Sequence, residues 1–378
     1  MTDTSAEHET TVPSNTGHPN TGPSNTGHPN TGHPNTGHPN TGHHHPTGHQ
    51  PTGHQTADTY RRFAAQKARG RSPLYELLAN RVADDQELIN FLDKLPAEKR
   101  QPNLLLAAVR YLAGLQSSYE DFRSAVLDRR DDVAATMLAR RTQTNEPARC
   151  ATMLPALAAL PQPVALLEVG ASAGLCLFPD RYTYDYGVVR IDGFRGAPVL
   201  SCRCLGPVLP PLPQGPIDVV WRRGIDLNPL DVNDDDDVRW LTCLVWPGEG
   251  DRAERLAAAV TVARSDPPRL VRGDLLDRLD ETAADAPRDA TLVVLHSSVL
   301  GYVSRDQRRM FAQAVDGLGA EWIAQETPRV MADLATYSAP LPPPDANPWC
   351  YVLTRGGRDA LAYADAHGTW IRWIAARG

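Results

Sequence analysis

After Pro163 the chain runs Val-Ala-Leu-Leu-Glu-Val and then Gly170-Ala171-Ser172-Ala173-Gly174, an order of residues that few architectures accept. Six residues, all apolar but one acid, suit a strand buried on both faces, as in a parallel sheet covered by helices. The small residues that follow allow a sharp turn and let another group approach the main chain closely. Leu175, Cys176 and Leu177 open an apolar stretch that is expected to be helical, so that free amides and a helix N-terminus would face a ligand at the strand end. A strand is therefore predicted over Val164–Val169, and a strand–glycine-loop–helix unit over Leu166–Leu177.

The same texture continues to the C-terminus. Strands are predicted at Ile217–Trp221, Arg269–Val271, Thr291–Leu295, Glu321–Ala324 and Trp349–Leu353, with helices near Asp237–Val245, Asp251–Ala263 and Arg305–Gly317. Alternation of this kind predicts an α/β fold, Rossmann-like and doubly wound around a mainly parallel sheet. Tyr182–Gly215, rich in Pro and Gly, reads as an insertion after the first strand. Upstream, Leu74, Leu77 and Leu78, then Leu88, Phe91 and Leu92, then Leu104, Leu105, Ala108, Leu112 and Leu115 recur at helical spacing, and Ser72-Pro73 is a helix start. No strand is expected before Val164. Residues 59–145 are thus expected to be a helical cap and 146–378 the α/β domain.

Residues 1–58 are of another kind. Asn-Thr-Gly-His-Pro recurs every five residues from Asn15 to about Gly42, with Pro and Gly in each repeat and almost nothing apolar to bury, which predicts a disordered tail. This stretch holds ten of the twelve histidines, four acids and no Lys or Arg. Its histidines could hold a transition metal weakly, but a repeat expansion without function is the simpler reading. Of the total charge of −7 the body keeps only −3, which argues against a protein that tracks nucleic-acid phosphates. Six scattered cysteines and the lack of a basic, then apolar, leader predict a reduced, cytoplasmic protein. Cys202-Arg203-Cys204 lacks the second pair a zinc site needs, so no metal is expected. Pro155, Pro161, Pro163, Gln162 and Glu168 interrupt the apolar stretch Ala151–Phe178, so no membrane span is expected.

Ligands of open α/β sheets bind at the carboxyl ends of the strands. Glu168, Gly170, Ser172 and Gly174 fall there, as do Asp274 after the strand at Leu270 and His296 after Thr291–Leu295. An acid past the second strand commonly takes ribose hydroxyls; Asp226 follows the clearer strand, and Asp185 is the rival by spacing. His296 is a candidate general base, with a hydrogen-bonded structural histidine as the alternative. Gln143, Asn145, Glu146 and Arg149 form a polar cluster that either edges the pocket or caps the helix after it, with Thr144 or Asn145 as the cap.

Gln143-Thr144-Asn145-Glu146 with Arg149, Leu167–Leu175, Asp180-Arg181-Tyr182, Arg223–Leu227 and Trp246-Pro247 resemble, from about Tyr60 onward, the uncharacterised bacterial family called domain of unknown function 2332. The α/β half also resembles class I S-adenosylmethionine-dependent methyltransferases. That likeness implies S-adenosylmethionine as the cofactor, with Glu168, Gly170, Ser172 and Gly174 around its methionine part, Asp226 on the ribose, Asp274 at the adenine edge and His296-Ser297 as a catalytic wall. Ser172 stands where the likeness has its middle glycine, no Asn/Asp-Pro-Pro-Tyr motif follows Leu295, and the methyl acceptor is not specified. Two other readings remain: a non-catalytic binding or regulatory protein on the same fold, and a serine hydrolase using Ser172 within Gly-x-Ser-x-Gly.

Overall fold

The computed structural model describes residues 52–143, 145–334, 337 and 350–374. Twelve strands make two sheets. The strands are β1 (Val164–Val169), β2 (Thr183–Asp185), β3 (Arg190–Ile191), β4 (Val199–Ser201), β5 (Arg203–Cys204), β6 (Val219–Asp226), β7 (Arg269–Arg272), β8 (Thr291–Ser297), β9 (Glu321–Glu326), β10 (Tyr351–Arg355), β11 (Asp359–Ala364) and β12 (Trp370–Trp373). The main sheet has nine strands in the order β7-β6-β1-β8-β9-β10-β11-β12-β5, and β3-β2-β4 form a small separate sheet. Pairings from β7 through β9 are all parallel, whereas β9-β10-β11-β12 alternate in direction. The protein is a mixed α/β structure with a large, mostly parallel central sheet.

β1 is buried along its whole length, as its apolar run requires. From it the chain steps outward through β6 to β7 and then returns to the other side of β1 for β8 and β9. In parallel register Glu168 faces Gly224 on one side and Leu295 on the other, and Val169 faces Ile225 and His296. Gly224 is required there: a Cβ would lie 2.5 Å from that of Ala171, so the loop after β1 can fold down on β6 only over a glycine. β6 runs on to Asp226, past the expected end at Trp221, because it pairs with β1 on one side and β7 on the other.

Among the described residues seven α-helices precede β1: α1 (Thr52–Phe63), α2 (Pro73–Asp84), α3 (Gln86–Leu92), α4 (Pro102–Ala113), α5 (Tyr119–Asp128), α6 (Arg130–Ala139) and α7 (Arg149–Ala158). Five described ones follow: α8 (Asp235–Leu244), α9 (Gly250–Ser265), α10 (Leu275–Ala283), α11 (Arg305–Gly317) and the single turn α12 (Pro328–Met331). Ser72 caps α2, its hydroxyl accepting from the Tyr75 amide, with Pro73 at the first helical position. Leu78, Leu88, Phe91, Leu92, Leu104, Leu105 and Ala108 are buried as expected, but Leu77 and Leu115 are exposed. The buried helical residues join Val164, Leu166, Val293 and Ile323 in one apolar cluster, so the cap and the sheet share a core. No described helix is long and apolar enough to cross a membrane.

The tail boundary lies earlier than its composition implies. α1 begins at Thr52, inside the last degenerate repeat, because Ala57, Tyr60, Phe63 and Ala64 form one buried helical face. Thr56 donates to Asp93 at 2.7 Å. The repeats up to residue 51 lie outside the described residues, as do Thr144 and Trp349.

The helix expected after the glycine loop is absent. Leu175–Leu177 make only one 3₁₀ turn, with Gly174 left-handed before it. An α-helix would need the amide of residue 179 to bond the Leu175 carbonyl, and that residue is Pro179, which has no N–H. The Tyr182 hydroxyl donates to that carbonyl instead, at 2.7 Å. The same device recurs within α7. Pro155 leaves the Ala151 carbonyl without its helical donor, and Tyr186 Oη supplies one at 2.6 Å. Tyr184 lies in β2, with Tyr182 and Tyr186 just outside its two ends; Tyr184 donates to the Pro179 carbonyl.

Removing residues 1–50 is expected to leave the melting temperature unchanged within about a degree, whereas removing 1–58 should lower it by roughly 2–4 °C through loss of the Thr56 hydrogen bond and half of α1. Calorimetry of the two truncated chains beside the full one checks this boundary.

Candidate functional site

Two residues other than glycine adopt left-handed backbone among the described residues, Ser172 (φ 54°) and Ser298 (φ 63°). They close the adjacent strands β1 and β8. Such conformations cost about 1–2 kcal/mol each and persist where surroundings impose them. Around Ser172 the imposing group is Asp226. Its carboxylate accepts from the Ser172 amide at 2.8 Å, and from the Asn228 amide at 2.8 Å and Gln143 Nε2 at 3.2 Å. Gly170 and Ala171 both donate to the Ile225 carbonyl, and Leu230 donates to that of Ser172. Asp226 thus lies at the end of the strand beside β1, whereas Asp185 lies on β2 in the small sheet and accepts from the Gly187 amide.

Gly170 was expected to leave room for a ligand. Instead, a Cβ there would come within 2.3 Å of Val299 Cγ2, so in this conformation Val299 occupies that room. Val299 is held by Glu326, whose Oε1 accepts from the amides of Val299 (2.7 Å) and Leu300 (2.9 Å) and bonds His296 Nδ1 (3.0 Å). Trp322 Nε1 donates to His296 Nε2 at 3.0 Å, so Nε2 is the acceptor and Nδ1 carries the proton given to Glu326. His296 is wholly buried with both ring nitrogens engaged. As placed it cannot take a proton from a substrate; it holds Glu326, which shapes the loop after β8. Asp274 caps α10 through the Leu276 amide.

Three side chains at this edge end in buried polar atoms without a hydrogen-bond partner: Glu168 Oε2, Ser172 Oγ and Ser297 Oγ. Burial pushes the Glu168 carboxyl well above the ordinary carboxylate range; neighbouring Cys176 adds to the shift and Arg149 opposes it. The surroundings therefore favour the neutral form of Glu168 relative to an exposed carboxyl. Among the described residues no histidine is within hydrogen-bonding distance of the Ser172 hydroxyl.

The polar cluster before α7 does more than cap a helix. Gln143 bonds Asp226 and the Asn228 carbonyl beyond β6. Asn145 Oδ1 accepts from the Leu175 amide after the glycine loop at 2.9 Å. Arg149 donates to the carbonyls of Ser297, at the end of β8, and Ala366, after β11. Glu146 meets Arg252 and Arg255 of α9. Ala148, not Asn145, is the residue preceding α7. One segment thus ties down the ends of β6, β1, β8 and β11. An open cleft lies behind it, between Gln143, Asn145 and Glu146 on one side and Leu241, Arg252 and Leu256 on the other. The part played by α9 was missed in the sequence, where nothing links it to Glu146.

A carboxyl whose folded pKa is raised stabilises the fold fully below its unfolded value near 4.5, and that contribution is lost as pH rises toward the folded value. Glu168→Gln, which stays neutral, is therefore expected to melt at or above the parent temperature at pH 8, with a smaller difference at pH 4.5. Scanning calorimetry at the two pH values checks the sign.

Comparison with curated proteins finds no match, and neither does comparison with solved structures. The family described as an uncharacterised protein conserved in bacteria, domain of unknown function 2332, matches residues 57–373, from the first buried turn of α1 to the end of β12. The chain therefore belongs to the domain of unknown function 2332 family.

Proposed function

We propose that the chain is an S-adenosylmethionine-binding, methyltransferase-like protein with an unknown acceptor, working in the cytoplasm, where six free thiols are at home. The observation that carries this reading is the set of buried, unpartnered oxygens of Glu168, Ser172 and Ser297 at the place where strand order reverses, between β1 and β8. Buried polar atoms ordinarily have partners, and a reversal point of this kind is where doubly wound sheets hold ligands. The order β7-β6-β1-β8-β9 supports a Rossmann-like reading of the parallel half.

The residues present fit the cofactor in their chemistry. Glu168 would receive the cationic amino group, giving up its proton on binding. Asp226 would meet the ribose by exchanging one of its hydrogen bonds, and Asp274 would stand at the adenine edge. Gly170, Ser172 and Gly174 would pass under the methionine part once Val299 withdraws. When bound, the group supplies an electrophilic methyl.

A non-catalytic protein on the same fold is the second reading, favoured by one observation: His296 has no nitrogen free to act as a base. The hydrolase reading is supported by the left-handed backbone of Ser172, but no histidine among the described residues reaches its hydroxyl.

Calorimetry with S-adenosylmethionine and S-adenosylhomocysteine is expected to show binding, weakened about tenfold to a hundredfold in Glu168→Ala and in Asp226→Ala, the loss of a charge-assisted hydrogen bond of roughly 1.5–3 kcal/mol. No heat and no thermal shift with millimolar amounts of either compound sinks the cofactor reading. Fluorophosphonate probes are expected to leave Ser172 unmodified; stoichiometric labelling that disappears in Ser172→Ala would establish the hydrolase instead.

A further inference from the structure

His367 stands in the turn between β11 and β12, and that turn docks on the start of α7. Gly368, left-handed at φ 78°, permits the docking: a Cβ there would lie 2.0 Å from the Ala148 carbonyl oxygen. Arg149 fixes the same turn by donating to the Ala366 carbonyl at 3.0 Å. The contact of His367 Nε2 is Arg71 Nη2, at 3.2 Å. A guanidinium only donates, so Nε2 is the acceptor, and a neutral ring must carry its proton on Nδ1. Nδ1 is buried and meets no acceptor. Burial and the surrounding arginines, Arg252, Arg149, Arg71 and Arg255, hold the ring neutral.

The charges around that N–H are lopsided. Arg71, Glu249, Arg252, Glu146 and Arg255 form an alternating chain, with links of 2.6, 2.5, 2.7 and 3.3 Å. Arg71 is further held over the Trp246 ring, its guanidinium carbon 4.6 Å from the centroid. The third nearby acid, Asp365, is turned back on its own loop, accepting from the amides of His367 and Thr369. Arg149 is different: it is buried, its acceptors are two backbone carbonyls, and no carboxylate lies within 4.0 Å of it among the described residues, Glu168, whose shift it opposes, standing farther off. A buried cation without a counter-charge is costly, and a buried donor without an acceptor adds to the cost. One group satisfies both, an oxyanion.

We propose that Arg149 and the Nδ1–H of His367 form a binding site for a carboxylate or phosphate group of a ligand, beside the edge of β1 and β8. Arg149 contributes charge and His367 a directed hydrogen bond. The site is independent of the S-adenosylmethionine reading and stands if that reading fails.

The test uses the full chain at constant ionic strength, with sodium phosphate or sodium acetate replacing sodium chloride. Thermal stability and the ring ¹⁵N–¹H signals of His367, assigned by their loss in His367→Leu, are the readouts. Phosphate or acetate is expected to raise the melting temperature above its value in chloride and to move the Nδ1 signal saturably. Arg149→Gln and His367→Leu should each weaken that binding about tenfold or more, and His367→Asn, which keeps a donor near the Nδ1 position, should restore most of it. If Arg149→Gln does not fold, the two His367 variants decide alone. Loss of S-adenosylhomocysteine affinity in the same variants makes the cofactor's carboxylate the source of the oxyanion, and unchanged affinity places the oxyanion on a second ligand. Equal behaviour of all three salts, or anion binding untouched by His367→Leu, overturns the proposal.

Discussion

The carboxylate of Asp226 is the interaction on which the strand-end geometry depends. It reaches from the end of β6 to the amide of Ser172 and also receives Asn228 and Gln143. Through these bonds one side chain sets the left-handed turn after β1, the path leaving β6 and the approach of the cap segment. Charge-assisted bonds to amides are among the stronger hydrogen bonds in proteins, and three on one acid can offset the strain of a serine held at positive φ. Without it the loop after β1 would lose its template, and Gly224 would have nothing folded down on it.

The opposite wall has a similar construction with different chemistry. Glu326 gathers the amides of Val299 and Leu300 and is itself held by His296, whose far nitrogen is taken by Trp322. The two acids, at the ends of β6 and β9, flank β1 and β8, and each organises the loop that closes its own half of the edge. Ligand entry between those loops requires the second to yield, since the side chain in the way, Val299, belongs to it.

Much of this was legible in the sequence, and the failures share a cause. β1 matches its expected span residue for residue because a run of apolar side chains on consecutive positions can satisfy burial on both faces only as a central strand. α11 matches as well, with Ser304 and Gln307 forming a capping box. The missing helix after Gly174 was readable too, for Pro179 stands four residues past Leu175. So was the β10–β11 hairpin, whose Gly356-Gly357 both take positive φ. His296 could be read equally as a base or as a hydrogen-bonded structural histidine, because proximity to a strand end says nothing about which face the ring enters; only the packing of Phe311 and Trp322 decides it. His367 gains its surroundings only in the fold, from Arg71 ahead of α2, Arg149 of α7 and Arg252 and Arg255 of α9, all distant along the chain.

The tyrosines flanking β2 carry a further implication. Each of two prolines removes an amide that a buried carbonyl would have used, and a phenol from beside the small sheet replaces it. The inserted segment is thereby built into the hydrogen-bonding of α7 and of the loop after β1, and cannot be treated as an appendage that related chains would shed or lengthen freely. Proline and tyrosine are therefore coupled through one carbonyl in each pair. A relative that regains an amide at position 155 or 179 releases its tyrosine from service, and one that loses the tyrosine must surrender the proline or leave a carbonyl stranded.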